Sequence, residues 1–376
     1  MKDLLQFHNL AHVFISLTGA ILLLAIYYTI KSRYLELIQE DNHHKRVDKG
    51  LLYLSLAMFV WVLSGISAYF AITQNVENTL GYQVLTHLLS ISNNMFLLLA
   101  LSYFAYAPTF IYRNNKNVIT IIVIIALITF STLLVSYVFG SSQYNMININ
   151  ALPDLLLSGF LSYLLAYSLF KTFSARKMQL VAGLSIIIIF LVFYSQLPEV
   201  FTYLNDDFTN NLIKIIAKTS LISIFLVLAT SWVIQLANTP KADEIKLSIL
   251  DWSIIRLNIP SKNIQNQTLD FGSKTTQFRN LLKFSLRRKF GNDEDQYIEV
   301  GNYGEIKNQT YLTRIIDNMN ELLPDEKSLE RNDLFIFIGN GKYRLRILPE
   351  NILIDESLQN EFIQTAKNEI YKKISR

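Results

Sequence analysis

The sequence predicts a membrane all-α bundle of seven helices, residues 1–237, followed by a soluble α+β module, residues 238–376. Three observations carry this reading. Seven long apolar runs fill the first 237 residues, charged and amide side chains become frequent only after them, and Lys and Arg between the runs fall in alternate loops. Of 376 residues, 51% are hydrophobic and 17% charged, an average that conceals the division into two domains.

A helix crossing a hydrocarbon core about 30 Å thick needs roughly 20 mostly apolar residues. The runs at about 11–31, 51–73, 84–106, 118–140, 155–174, 180–203 and 211–237 meet that length. Inside lipid the backbone must satisfy its own hydrogen bonds, which makes each run a helix. The first has no basic flank beyond Lys2 and no small-residue cleavage site, and reads as a span rather than a signal peptide.

Orientation follows from the positive charges. Lys31, Arg33, Lys45, Arg46 and Lys49 lie in the first loop, Arg113 and Lys116 in the third, and Lys171, Arg176 and Lys177 in the fifth. The even loops hold none. The expected placement is multi-pass in a bacterial inner membrane, N-terminus outside and C-terminal module in the cytoplasm.

Polar groups within a span are costly and therefore candidate sites. His12, His87, Glu199 and Lys218 fall toward the outer half of their helices and Asn93 and Asn94 near mid-membrane; with Gln196 they are expected to line an outward-facing ligand pocket. Pro198 should kink the sixth helix into it. Structural roles compete: Asn93 and Asn94 can join helices by hydrogen bonds, and Lys214 and Lys218 can snorkel to the interface. His8 and His12 have a spacing that suits two metal ligands, but two ligands do not make a site, and no metal or cofactor is expected.

In the soluble part, Ile245, Leu247 and Ile249 share one strand face, as do Ile255, Leu257 and Ile259. Another strand fits 264–271. A helix is expected over about 275–290, with an apolar stripe through Phe278, Leu281, Leu282 and Leu286 and a basic surface of Arg279, Lys283, Arg287, Arg288 and Lys289. A second helix is expected over about 308–323 with Asn308 as N-cap. Two strands then flank Gly339-Asn340-Gly341, a hairpin turn. Alternation places Lys342, Arg344 and Arg346 on the face opposite Tyr343, Leu345 and Ile347. The final helix is expected over 358–374.

Several segments carry resemblances. The short loops and the run "FVWVLSGISAYF" of the second span make the bundle similar to seven-span sensor regions ahead of bacterial histidine kinases. Lys218 in "IIAKTSL" resembles the retinal-binding lysine of microbial rhodopsins, although the third span offers no carboxylate counterion. "KTTQFRNLLKFSLRRK" followed by a helix and "GNGKYRLRI" resembles the winged helix of response regulators. "KNQTYLTRIIDNM" is similar to the recognition helix of AraC-type regulators, and "DQYIEVGNY" to part of the LytTR DNA-binding domain.

These resemblances imply a winged-helix-like module in which Lys307, Asn308, Gln309, Thr310, Thr313 and Arg314 read DNA bases while Lys342, Arg344 and Arg346 hold phosphate. Against a dedicated DNA binder, the acids of the tail nearly equal its bases, and Asp317 and Glu321 lie on the same helix.

Enzyme classes find little support. The chain has no cysteine, no phosphate-cradling glycine loop and no nucleophile–base set. All five histidines precede the tail, which removes a kinase phospho-acceptor from it. The expected protein is a membrane receptor for an unidentified small ligand that regulates transcription as a homodimer, its soluble module meeting DNA or a cytosolic protein. A membrane effector or pore, gated by protein or nucleotide at the tail, is the alternative, and a retinal photoreceptor a third.

Overall fold

A computed structural model of the protein describes residues 2–40, 46–76, 79–104, 106–112, 114–139, 143–144, 147–148, 152–201, 207–324, 328–366 and 368–374. The chain forms two compact units. The first runs to Val233 apart from one short segment. That segment begins at Glu36 and is counted with Ile234–Arg376 in the second unit.

The first unit is built from α1 (Lys2–Arg33), α3 (Val47–Gln74), α4 (Leu80–Ser102), α6 (Asn115–Phe139), α7 (Leu152–Ala175), α8 (Gln179–Tyr194) and α10 (Asp207–Ala237). Between them lie α2 (Leu35–Glu40), α5 (Thr109–Tyr112), α9 (Leu197–Val200) and a two-residue pairing of β1 (Gln143–Tyr144) with β2 (Ile147–Asn148). The helices bury small and hydroxylic side chains: Ser16, Ala20, Ser55, Ser168, Thr172 and Ser185 are almost fully enclosed. They turn Phe14, Leu63, Phe70, Leu127, Phe130, Ile187 and Phe190 outward. A water-soluble bundle has the reverse pattern, whereas lipid is the solvent that accepts an apolar exterior and lets small residues set helix contacts. Gly65 illustrates the close approach: a Cβ there would sit 2.7 Å from Val13 Cγ2 on α1. Buried hydroxyls return to their own helices, as when Thr172 Oγ1 donates to the Ser168 carbonyl at 2.6 Å.

Among the described residues, five helices are long and apolar enough to cross a membrane: Gln6–Arg33, Val47–Gln74, Gly81–Ser102, Leu155–Ala175 and Thr209–Ala237. Lys116–Thr132 and Gln179–Tyr194 are shorter apolar helices. The expected sixth run is divided. The helix ends at Tyr194, Ser195 and Gln196 intervene, and Pro198 opens α9 instead of kinking a continuous helix. Proline tolerates the first turn, where its missing N–H costs nothing. The sixteen residues of α8 reach about 24 Å at 1.5 Å per residue, short of the hydrocarbon thickness.

The second unit has two sheets around one core. Strands β3 (Lys246–Ile249), β4 (Ile254–Ile259), β5 (Ile264–Asp270) and β9 (Ile352–Ile354) form the first, in the order β5-β4-β3-β9. β9 runs parallel to β3, with Leu247 opposite Ile352. Ile245, Leu247, Ile249, Ile255, Leu257 and Ile259 are all buried, as alternation requires. The second sheet joins β6 (Ile298–Glu299), β8 (Lys342–Leu345) and β7 (Phe335–Gly339) in the order β6-β8-β7. Its hairpin turn holds Gly339, Asn340 and Gly341 at positive φ (118°, 50° and 75°), conformations that glycine and asparagine adopt with least strain.

Helix α11 (Thr275–Phe290) runs through this core, and α12 (Thr310–Leu322) packs with Leu312, Ile315, Ile316 and Met319 inward. The expected basic surface of α11 is only partly a surface. Arg279 is exposed, but Arg287 and Arg288 are buried, because Phe284 and Leu286 are buried on further sides of the helix. Arg287 donates to Glu305 Oε2 at 2.5 Å and to the Tyr297 carbonyl at 2.9 Å. Tyr371 Oη donates to Glu305 Oε1 at 2.6 Å, and Lys283 Nζ lies 3.5 Å from the same oxygen. Burial works against the Arg287 charge, yet Tyr371 and Glu305 more than offset it and raise its pKa. Burial, then the Glu305 charge, raises that of Tyr371. The expected C-terminal helix is two helices, α14 (Glu356–Thr365) and α15 (Glu369–Ile374), because Tyr371 turns into this network.

Candidate ligand-binding cavity

A cavity of about 320 Å³ lies among the helices of the first unit, a size that suits a small organic ligand. Its polar wall gathers at one level. Ser90, Asn93 and Asn94 come from the middle of α4, and Ser158 and Ser162 from the first half of α7. Ser195 and Gln196 fill the break after α8, and Lys214 and Lys218 come from the first half of α10. The rest is apolar, with Leu97 and Leu101 further along α4, Leu165 further along α7 and Leu221 further along α10.

Lys218 Nζ lies 2.7 Å from His12 Nε2 on α1 and 5.6 Å from the centre of the Trp61 ring on α3. An ammonium has only donors, so the imidazole nitrogen accepts and His12 contributes a lone pair rather than a charge. Asn93 Nδ2 reaches Asn94 Oδ1 at 3.5 Å, while Asn93 Oδ1 is enclosed with no hydrogen-bond partner. The wall thus retains polar capacity that the protein does not consume.

Of the residues expected in the pocket, Asn93, Asn94, Gln196 and Lys218 line it, and His12 touches Lys218. His87 does not join them. It lies in a small separate groove with Val84, Leu88, Ile91, Thr129 and Phe130, on another side of α4. The Glu199 side chain lies outside the described residues. Lys214, Ser158 and Ser162 were not expected as ligand contacts. Their signal was present in the four-residue spacing of Lys214 with Lys218 and of Ser158 with Ser162, each pair stacking on one helix face.

The residues expected to contact DNA divide. Lys307, Asn308, Gln309, Thr310, Thr313, Arg314 and Lys342 are exposed. Asn308 Oδ1 accepts from both Thr310 N and Thr310 Oγ1 at 3.0 Å, closing the start of α12. Arg344 and Arg346 do not stand on a free arm. Arg346 is 0% exposed, and its Nε donates to the Asn332 carbonyl at 3.2 Å. Strand β8 ends at Leu345, so alternation no longer carries its side chain to the outer face. Arg344 is largely covered, with Nη1 3.5 Å from Gln296 Oε1 and Nη2 4.0 Å from Glu40 Oε2. β8 is the central strand of its sheet, with β6 occupying the edge that a projecting wing would leave open. Directly before the hairpin stands the single turn α13 (Arg331–Leu334), not the longer α12.

Comparison with family models, with curated proteins and with solved structures finds no match.

Proposed function

We propose that this protein is a membrane receptor: a bundle of seven spans, N-terminus outside, binds a small ligand in its cavity and sets the state of a cytoplasmic module. The observation that carries this reading is the cavity itself. Two lysines, two asparagines and four serines converge from separate apolar helices, an arrangement too costly in lipid to serve as filling. Lys and Arg confined to alternate loops support the orientation, with α6 and the α8–α9 pair completing the seven crossings.

A covalent path for coupling also exists. Helix α2 follows α1 after the single residue Tyr34, yet it belongs by its contacts to the second unit, with Leu37 and Ile38 buried and Glu40 near Arg344. The second unit is thereby joined to the bundle through α1 as well as through α10. A ligand that favours one arrangement of α1 biases that unit by its differential affinity and by no more.

We read the second unit as an output module whose partner is a protein. The hairpin arginines are engaged internally, and the exposed side of α12 carries Asp317 and Glu321 beside Arg314. A second reading, DNA contact through α12, is favoured by the exposed run Lys307–Thr310 together with Lys342.

Filling the cavity tests the receptor reading without knowledge of the ligand. Ser162→Phe in the full chain, reconstituted in nanodiscs, is expected to change backbone hydrogen exchange in α2 and in β6–β8–β7. Unchanged exchange there, with the bundle still folded, contradicts coupling.

A further inference from the structure

We propose that Arg288 and Arg344 of the second unit form a binding site for a phosphate group, and that the carboxylate of Glu40 competes with the ligand for it. The inference goes beyond the receptor reading and does not depend on it.

Two elements bring the guanidinium groups together. Arg288 lies in the last turn of α11, and Arg344 lies on β8, the central strand of the second sheet. Nη1 of each meets the same amide oxygen, Gln296 Oε1, that of Arg344 at 3.5 Å. Arg288 and Gln296 are buried, and the Arg344 side chain is 14% exposed. One neutral oxygen cannot offset two cations that are largely withdrawn from water. Burial, then the Arg344 charge, lowers the Arg288 pKa, and Glu40, Tyr297 and Glu350 do not make up the difference.

Arg344 is covered without being satisfied. Its Nε is enclosed and has no hydrogen-bond partner. Its Nη2 stands 4.0 Å from Glu40 Oε2, beyond hydrogen-bond reach. Nε and Nη2 form one edge of the guanidinium, the edge that grips an oxyanion through two parallel hydrogen bonds. Arg288 spends Nε on the Ile347 carbonyl at 2.8 Å, and its Nη2 meets no acceptor among the described residues. Apart from Glu40, no carboxylate forms an ion pair with either arginine among the described residues.

The chemistry that answers this arrangement is a phosphate. A carboxylate brings one charge and two oxygens, whereas a phosphate monoester brings about −1.5 to −2 and three acceptor oxygens, enough for both guanidinium groups. Glu40 closes α2, and its side chain is 42% exposed. It can turn to water at small cost and leave the Arg344 edge to the ligand. The phosphate arrives either on a soluble compound or on a lipid head group.

The experiment uses the full chain in two kinds of nanodisc: phosphatidylcholine with inorganic pyrophosphate added in solution, and phosphatidylcholine containing phosphatidic acid. Binding is read as the rise in unfolding temperature with probe concentration. Pyrophosphate or phosphatidic acid is expected to stabilise the protein, and sodium chloride at matched ionic strength is not. A response to pyrophosphate assigns the site to a soluble phosphate compound, and a response to phosphatidic acid alone assigns it to a lipid head group. Losing a charge-assisted hydrogen bond weakens binding roughly ten- to hundredfold, so Arg344→Gln should raise the apparent Kd to that extent. Arg344→Lys, which keeps the charge but not the fork, should fall between that variant and the wild type, and it replaces Arg344→Gln if the latter does not fold. Glu40→Gln should act in the opposite direction, tightening binding about two- to fivefold, the worth of a partly exposed ion pair. Lys246→Met, an exposed position on the first sheet, should match the wild type. No response to either probe overturns the inference, as does sodium chloride matching pyrophosphate. So does an Arg344→Gln variant that binds like the wild type, or a Glu40→Gln variant that binds no more tightly. The receptor reading is scored by Ser162→Phe, so each can fail without the other.

Discussion

Glu305→Ala is expected to destabilise the second unit by about 3–5 kcal/mol, the cost of removing one partner from a buried ion pair. Glu305 is a hub. It accepts from Arg287 at 2.5 Å, from Tyr371 at 2.6 Å and from Asn368 Nδ2 at 3.4 Å, with Lys283 Nζ at 3.5 Å. The Arg287 side chain is 8% exposed and that of Glu305 15%, so water cannot substitute freely for the missing carboxylate. The loss strands a buried guanidinium on α11 and a buried phenol on α15, and α15 should detach first. Glu305→Gln, which keeps the volume and an acceptor for Tyr371, should cost less. Urea titration of the full chain, followed by exchange protection in α11 and α15, measures both. A loss under about 1 kcal/mol for Glu305→Ala, the range of an exposed pair, contradicts this account of the network.

Phe284→Ala is expected to cost a similar amount, about 3–5 kcal/mol, by a different route. Phe284 is fully buried, and its ring meets that of Phe335 on β7 edge-on, with centroids 5.0 Å apart. Truncation leaves a cavity between α11 and the second sheet and removes an aromatic contact worth about 0.5–1.5 kcal/mol beyond its area. The same urea titration is the measurement. A Phe284→Ala variant as stable as the wild type would place this ring at the surface.

Much of the second unit was legible in its alternation and punctuation. The helix at 275–290, the hairpin at Gly339–Gly341 and the inward faces of β3 and β4 follow from local pattern. What local pattern does not carry is which face of an element a distant segment will cover. The basic side of α11 was read as solvent-exposed, although Phe284 on that side already marked it as interior. Strand β9 is three residues long and pairs in parallel with β3 about a hundred positions earlier, a contact with no local signature. Arg346 was placed outward by extending the alternation one residue past the end of its strand.

In the first unit, Asn93, Asn94, Gln196 and Lys218 line one cavity, as costly polar residues on separate helices can. His87 was misplaced because residue depth along a helix is readable from sequence whereas rotation about its axis depends on which neighbour it meets. The division of the sixth run at Ser195–Gln196 was equally hidden. A continuous apolar run specifies hydrophobic length but not whether one helix or two supplies it.

The proposed receptor requires that the first unit cross the membrane seven times with the C-terminal unit on the cytoplasmic side. The chain has no cysteine, so single cysteines can be introduced without background. Asn75→Cys and Thr209→Cys should react with a membrane-impermeant maleimide added to intact cells. Asn114→Cys, Lys177→Cys and Lys342→Cys should react only after the membrane is opened. Labelling of Lys342→Cys in intact cells, or of Asn75→Cys and Asn114→Cys alike, would contradict the account.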